Sequence, residues 1–192
     1  MTLKKKVIAG ALALLLTVPV YADFDKGIEA YQAGNYAVAY QEFKSAAKNG
    51  DASAQFGLAF LYANGHGVEQ DYERAVYWIE WRAKQGDADA QFDLAVSYEV
   101  GDFVTQDYKR AFYWYEQAAK QGHIRAQYNL AISYFRGEGT IQDYIQAHKW
   151  MNIASANGHA RAREARDEVI APKMTREQIQ QAQTLAREFF NQ

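Results

Sequence analysis

Residues 126–134 read Ala-Gln-Tyr-Asn-Leu-Ala-Ile-Ser-Tyr, residues 90–98 read Ala-Gln-Phe-Asp-Leu-Ala-Val-Ser-Tyr, and residues 54–62 read Ala-Gln-Phe-Gly-Leu-Ala-Phe-Leu-Tyr. These stretches are 36 residues apart, and the same interval separates Gly50, Gly86, Gly122 and Gly158. It also separates Gly65, Gly101 and Gly137, the pairs Asp71-Tyr72, Asp107-Tyr108 and Asp143-Tyr144, and Trp78, Trp114 and Trp150. A fixed period of this length marks an array in which each unit is one supersecondary element.

Within a unit, Ala54, Leu58, Ala59 and Tyr62 fall on one helical stripe and Ala75, Trp78, Ile79 and Ala83 on another, so each unit is two helices. Gly65 follows the first stripe, where a left-handed residue ends a helix, and Asp71 precedes the second, where its carboxylate can accept from free first-turn amides. Small alanines let helices approach, while Trp and Tyr fill the space between pairs. One pair cannot bury its apolar face alone. The sequence therefore predicts an all-α chain, a right-handed α/α solenoid of antiparallel helix pairs, with units at 51–86, 87–122 and 123–158. Residues 23–50 read as a shortened N-terminal pair, with Asn35-Tyr36 in register with Asp71-Tyr72. In 159–192 the spacing predicts a partial repeat, a helix from Ala160 to about Ile170, then a capping helix. Thr175 opens that last helix with Gln178 three residues on, a capping-box pairing. Its apolar face, Ile179, Ala182, Leu185, Ala186 and Phe189, is expected to seal the end of the stack.

The residues that carry the pattern, the 126–134 stretch with Gly137, Gly139, Asp143, Ala147 and Trp150, resemble the Sel-one-like repeat family, relatives of the tetratricopeptide repeats. The resemblance covers residues 24–192 and implies a protein-binding scaffold, with roles in envelope assembly, secretion, motility or contact with a host. Two positions depart from it: Phe103 stands where Gly67 and Gly139 stand, and Thr140 where Val68 and Val104 stand.

Residues 1–22 have a charged start (Lys4, Lys5, Lys6), an apolar run from Val7 to Val18 and a small-residue exit before Asp23, the layout of a secretory signal peptide. Cleavage is expected after Ala22, giving a periplasmic or secreted chain without stable membrane insertion. The whole chain has a formal charge of −2, and removal of the three lysines leaves 18 basic and 23 acidic side chains. There is no basic excess to attract nucleic acid. The absence of cysteine excludes disulfides, thiolate catalysis and Cys-ligated metals.

Enzymatic readings are weak. Ser45-Ala46-Ala47-Lys48 spells the Ser-x-x-Lys of penicillin-recognising enzymes, and some relatives carry the name β-lactamase, so a β-lactamase-like or cell-wall-peptide hydrolase is the alternative function. The repeat register opposes it: Lys48 aligns with Lys84 and Lys120 at helix ends, Ser45 aligns with Trp81 and Gln117, and no Ser-Asp-Asn or Lys-Thr-Gly follows. His66, His123, His148 and His159 form no metal-binding pair, and the glycine turns lack the strand and lysine of a phosphate loop. No catalytic residue, cofactor or metal is expected.

The remaining chemistry is recognition of another protein or peptide. First-helix positions outside the packing signature should line a concave groove: Phe56 and Phe60; Phe92, Asp93, Val96 and Glu99; and Tyr128, Asn129, Ile132, Phe135 and Arg136. Phe56, Phe92 and Tyr128 recur with the period, so packing between repeats is the competing reading for them. Trp81, whose equivalents are Ser45 and Gln117, is either an exposed contact or a packing repair beside Phe103. Charge is uneven, with 9 basic and 16 acidic side chains in 23–122 and 9 and 7 in 123–192.

Overall fold

A computed structural model describes residues 24–101 and 103–191. The predicted signal segment lies outside them. Among the described residues every regular element is helical: α1 Phe24–Gln32, α2 Tyr36–Lys48, α3 Ala52–Asn64, α4 Tyr72–Lys84, α5 Ala88–Val100, α6 Tyr108–Lys120, α7 Ile124–Arg136, α8 Tyr144–Ala156, α9 Ala162–Glu164 and α10 Arg176–Phe190. Consecutive helices pack on one another along the chain, as an α-solenoid requires.

The caps follow from the sequence. Asp51 and Asp87 accept from the third amide of α3 and α5, and Asp71, Asp107 and Asp143 do the same for α4, α6 and α8. His123 takes this role for α7 through Nδ1, 3.1 Å from the Ala126 N–H. Asn35, in register with Asp71, makes no side-chain cap bond. First helices end on Gly65, Gly101 and Gly137 with φ of 68°, 79° and 73°.

The periodic alanines are the closest-packed positions, with Ala54, Ala90, Ala126 and Ala162 at most 1% exposed. Packed around them are Leu58, Leu94 and Leu130, with Tyr115, Met151 and Ile153 deeper in the later units. In the first pair the ring of Phe43 lies between two glycines. A Cβ on Gly27 or Gly57 would come within 2.4 or 2.8 Å of it, so both helices must lack a side chain there.

Buried glutamines join the units. Gln55, Gln91 and Gln127 each donate to the carbonyl eight residues back, Ala47, Ala83 and Ala119, in the last turn of the preceding helix. The Gln91 and Gln127 oxygens in turn accept from Gln121 and Asn157 of the following turn, at 2.7 and 2.9 Å.

The expected helix from Ala160 starts later and differs in form. Ala162–Glu164 makes one turn, Ala165–Ile170 widens to i→i+5 turns, and Ala171–Lys173 tightens around Pro172. Ile170 is thereby buried, 1% exposed. Thr175 and Gln178 form the expected capping box, with reciprocal bonds of 3.3 and 2.9 Å. α10 packs on α8, burying Ala182 and Ala186 and setting Phe189 5.2 Å from the Trp150 ring. The C-terminal end of the core is covered as expected.

Candidate partner-binding groove

One side of the array is built from recurring first-helix positions. Ser53, Asp89 and Arg125 hold one such position, Phe56, Phe92 and Tyr128 the next, and Gly57, Asp93 and Asn129 the third. A cleft of about 340 Å³ lined by Phe24, Ser53, Phe56, Arg82, Asp89 and Asp93 places α1, α3 and α5 on this common side.

The three periodic rings have different fates. Phe92 is 7% exposed, stacked by the His123 ring at 4.5 Å with the Arg125 guanidinium 4.5 Å from its centroid. It is a packing residue, which corrects its assignment as a groove contact. Tyr128 is half-buried under the His159 ring at 4.1 Å. Phe56 has no such lid: Arg82, ion-paired to Asp87, lies 5.6 Å from its centroid, and the ring remains 49% exposed. The cause is chemical. The units that follow Phe92 and Tyr128 start on His123 and His159, whose flat rings can stack backward, whereas the unit after Phe56 starts on Asp87.

Phe56 and Phe60, the latter 41% exposed, line a pocket of about 230 Å³ with Phe24, Ile28, Tyr31, Phe43 and Gly57. Apart from the Ser53 rim its surface is hydrocarbon. Reasoning from the repeat does not find the α1 contribution, because residues 23–50 read only as a shortened unit. The signal was present in the spacing of Phe24, Ile28 and Tyr31, one stripe of a helix.

Farther along, polar candidates are engaged with each other. The Tyr115 hydroxyl donates to Glu99 at 2.5 Å and accepts from Asn129 at 3.0 Å, which ties α5, α6 and α7 through one oxygen. Burial, with Glu99 alongside, pushes the Tyr115 phenol far above its usual range, so it stays protonated. Glu99 and Asn129 are thus structural ties. Phe135 is half-buried with its ring 5.7 Å from Tyr144, Val96 and Ile132 are half-buried against the core, and Arg136 is exposed near Glu138 at 3.7 Å. Asp93 lies at the surface, its carboxyl raised by desolvation against the opposing pull of Arg125. His123, lowered by burial, receives the Ala126 N–H on Nδ1, which leaves Nε2–H to donate toward Asp89 at 3.3 Å.

Other candidates are not brought together. Ser45 and Lys48 are exposed on α2, and no hydrogen bond joins them. Among the described residues no group of three or more His, Cys, Asp or Glu is placed to hold a metal ion. Trp81 is 44% exposed beside Gly50, Ala52 and Gln55, whereas Phe103 packs on Tyr72 at 4.6 Å, so Trp81 does not repair the Phe103 joint.

The Sel1 repeat model matches residues 52–87, 88–123 and 124–159, together more than half of the chain. Among solved structures, a Sel1 repeat protein from Oxalobacter formigenes is 38% identical at a TM-score of 0.61, covering 67% of this chain and 96% of its own. The c5321 protein, a protective antigen of uropathogenic Escherichia coli with an SLR fold, is 27% identical at a TM-score of 0.52. The match covers 88% of this chain and 44% of that antigen. No curated protein matches significantly. Proteins of this repeat type are generally non-catalytic scaffolds for protein interaction, and among the described residues no helix is long and apolar enough to cross a membrane. On three consecutive repeats and a shared fold, the chain belongs to the Sel1 repeat family.

Proposed function

We propose that this chain is a non-enzymatic adaptor of the cell envelope, exported by residues 1–22, that binds a partner protein or peptide in the groove face of its repeats. The observation that carries this reading is the pocket at the N-terminal end of that face, where Phe56 and Phe60 stay 49% and 41% exposed although the later period-mate Phe92 is covered. Solvated rings around a hydrocarbon cavity suit one bulky apolar side chain of a partner, and such anchors supply most of an interface's energy, about 2 kcal/mol or more each. The groove continues over Asp93, Val96 and Ile132 toward Phe135 and Arg136. The charged start and apolar run of residues 1–22 support export, and the antigen with the same repeat fold is compatible with an envelope location.

Site-specific photocrosslinking in the native envelope tests this. A photoreactive side chain in place of Ser53, which borders both clefts, should capture a discrete partner that the same group at Tyr113 does not. The double variant Phe56→Ala, Phe60→Ala should lose that adduct while its circular dichroism is unchanged. Capture of the same set from both positions, or an adduct indifferent to the double variant, refutes the groove assignment. The hydrolase alternative predicts nitrocefin turnover abolished by Ser45→Ala.

A further inference from the structure

The three inter-unit joints on the second-helix side are built to one plan, and one of them departs from it. At two joints a glycine with left-handed φ, Gly67 at 72° and Gly139 at 74°, presses against the backbone that opens a second helix of the preceding unit. A Cβ on Gly67 would come within 2.5 Å of the Tyr36 carbonyl carbon, and one on Gly139 within 2.0 Å of the Tyr108 oxygen. At the middle joint Phe103 takes the same left-handed φ, 67°, and is the one non-glycine residue to do so among the described residues. Its side chain cannot pass through that contact. It lies instead on the ring of Tyr72, the period-mate of Tyr36 and Tyr108.

Beside this wedge is a cleft of about 620 Å³ between α4 and residues 103–110, on the layer away from the groove face. Tyr77 and Phe103, 57% and 43% exposed, contribute partly solvated rings to its lining. Of the charged groups that line it, Glu73 is exposed to solvent and the other three are matched. Glu80 accepts from the Tyr98 hydroxyl at 2.9 Å and from Lys84 at 3.0 Å. Arg110 donates to the same hydroxyl at 2.8 Å, and Asp107 caps α6 while facing Arg110 at 3.7 Å.

A strongly charged ligand finds one exposed carboxylate, Glu73, beside groups already paired with Lys84 and Arg110, a contact worth little in water, and an apolar one would strip water from carboxylates and a guanidinium without replacing it. A neutral, hydroxyl-rich ring satisfies both parts of the lining, its C–H face on the aromatic rings and its hydroxyls on the fixed donors and acceptors. We infer that the cleft opened by Phe103 between α4 and the 103–110 segment is a binding site for a neutral saccharide ring of a glycan.

The test is calorimetric titration of the whole mature chain with cellotetraose, maltotetraose and chitotetraose, and with tri-lysine and tri-glutamate peptides as charged probes. At least one neutral tetrasaccharide should bind with a Kd below about 1 mM, within the range of single-ring recognition. Phe103→Gly, which lets the joint close as at Gly67 and Gly139, should weaken binding by about tenfold or more without lowering the thermal midpoint. Tyr77→Ala, at an exposed ring, should also weaken it by about tenfold. The proposal is overturned if no neutral saccharide binds, if binding is indifferent to both variants, or if a charged peptide alone responds to them.

Discussion

The buried glutamines give a quantitative handle on how units are joined. Gln127 is fully buried, donates to the Ala119 carbonyl at 3.2 Å, and accepts from Asn157 at 2.9 Å. In Gln127→Met the shape is nearly kept and both bonds are lost. The Ala119 carbonyl retains the Gly122 N–H at 3.0 Å, so it is not orphaned, and its loss is about 1 kcal/mol. The half-buried Asn157 amide loses its acceptor at a similar cost, which brings the total to about 2 kcal/mol. Gln55 is 3% exposed and makes the backbone bond alone, so Gln55→Met should cost about 1 kcal/mol. Urea unfolding followed by circular dichroism at fixed pH separates the two. Equal losses, or a larger loss at Gln55, would refute the view that the second hydrogen bond of each joint contributes independently.

Three further outcomes follow from the same geometry. Burial holds His148 down to about 4, and because the Asn152 oxygen accepts from Arg166 its amide must donate to Nδ1. The folded value lies below the unfolded one near 6.5, so this stability is complete above about pH 6.5 and is lost as pH falls toward 4, amounting to about 2 kcal/mol at pH 5. His148→Gln should flatten that pH dependence in urea midpoints, leaving a smaller slope of the same sign from His123 and His159, both lowered by burial. Gly139→Ala should destabilise by about 2 kcal/mol or more, from left-handed strain plus collision with the Tyr108 oxygen, while Phe103→Gly should be neutral or stabilising in the same melts. Thr175→Ala should cost about 1 kcal/mol and speed amide exchange in the first turn of α10; unchanged exchange there would show that packing on α8 alone holds the helix.

The period was legible because stacking demands the same small or large residue at the same place in every unit, and Ala54, Ala90, Ala126 and Ala162 sit in equivalent contacts. What lies over a side chain was less legible. Phe56 and Phe92 hold equal positions, yet the residue that covers Phe92 comes from the next unit, so a position within the repeat does not report exposure. Tyr115 holds the position of Ile79 and Met151, so the period does not announce the hydroxyl that makes two groove candidates, Glu99 and Asn129, structural ties. The buried glutamines were visible as a period but carried no apolar signal, and polar joints escape a search for hydrophobic stripes. Phe103 was marked as a departure from the glycine turn. That it keeps the glycine's backbone angle and opens a cleft instead was a matter of three dimensions.

The glutamine joints also bear on how such a chain changes length. Each joint takes its acceptor from one unit and its donor from the next, at positions that repeat every 36 residues, so either neighbour can be exchanged for any other unit that carries the same pair. The two ends cannot be exchanged, since the Phe43 clasp and the α10 seal occur once each among the described residues. The molecule is thus a ruler with fixed ends. The number of interior units sets the distance between the N-terminal apolar pocket and the α10 seal, and relatives can retune that distance in whole-unit steps.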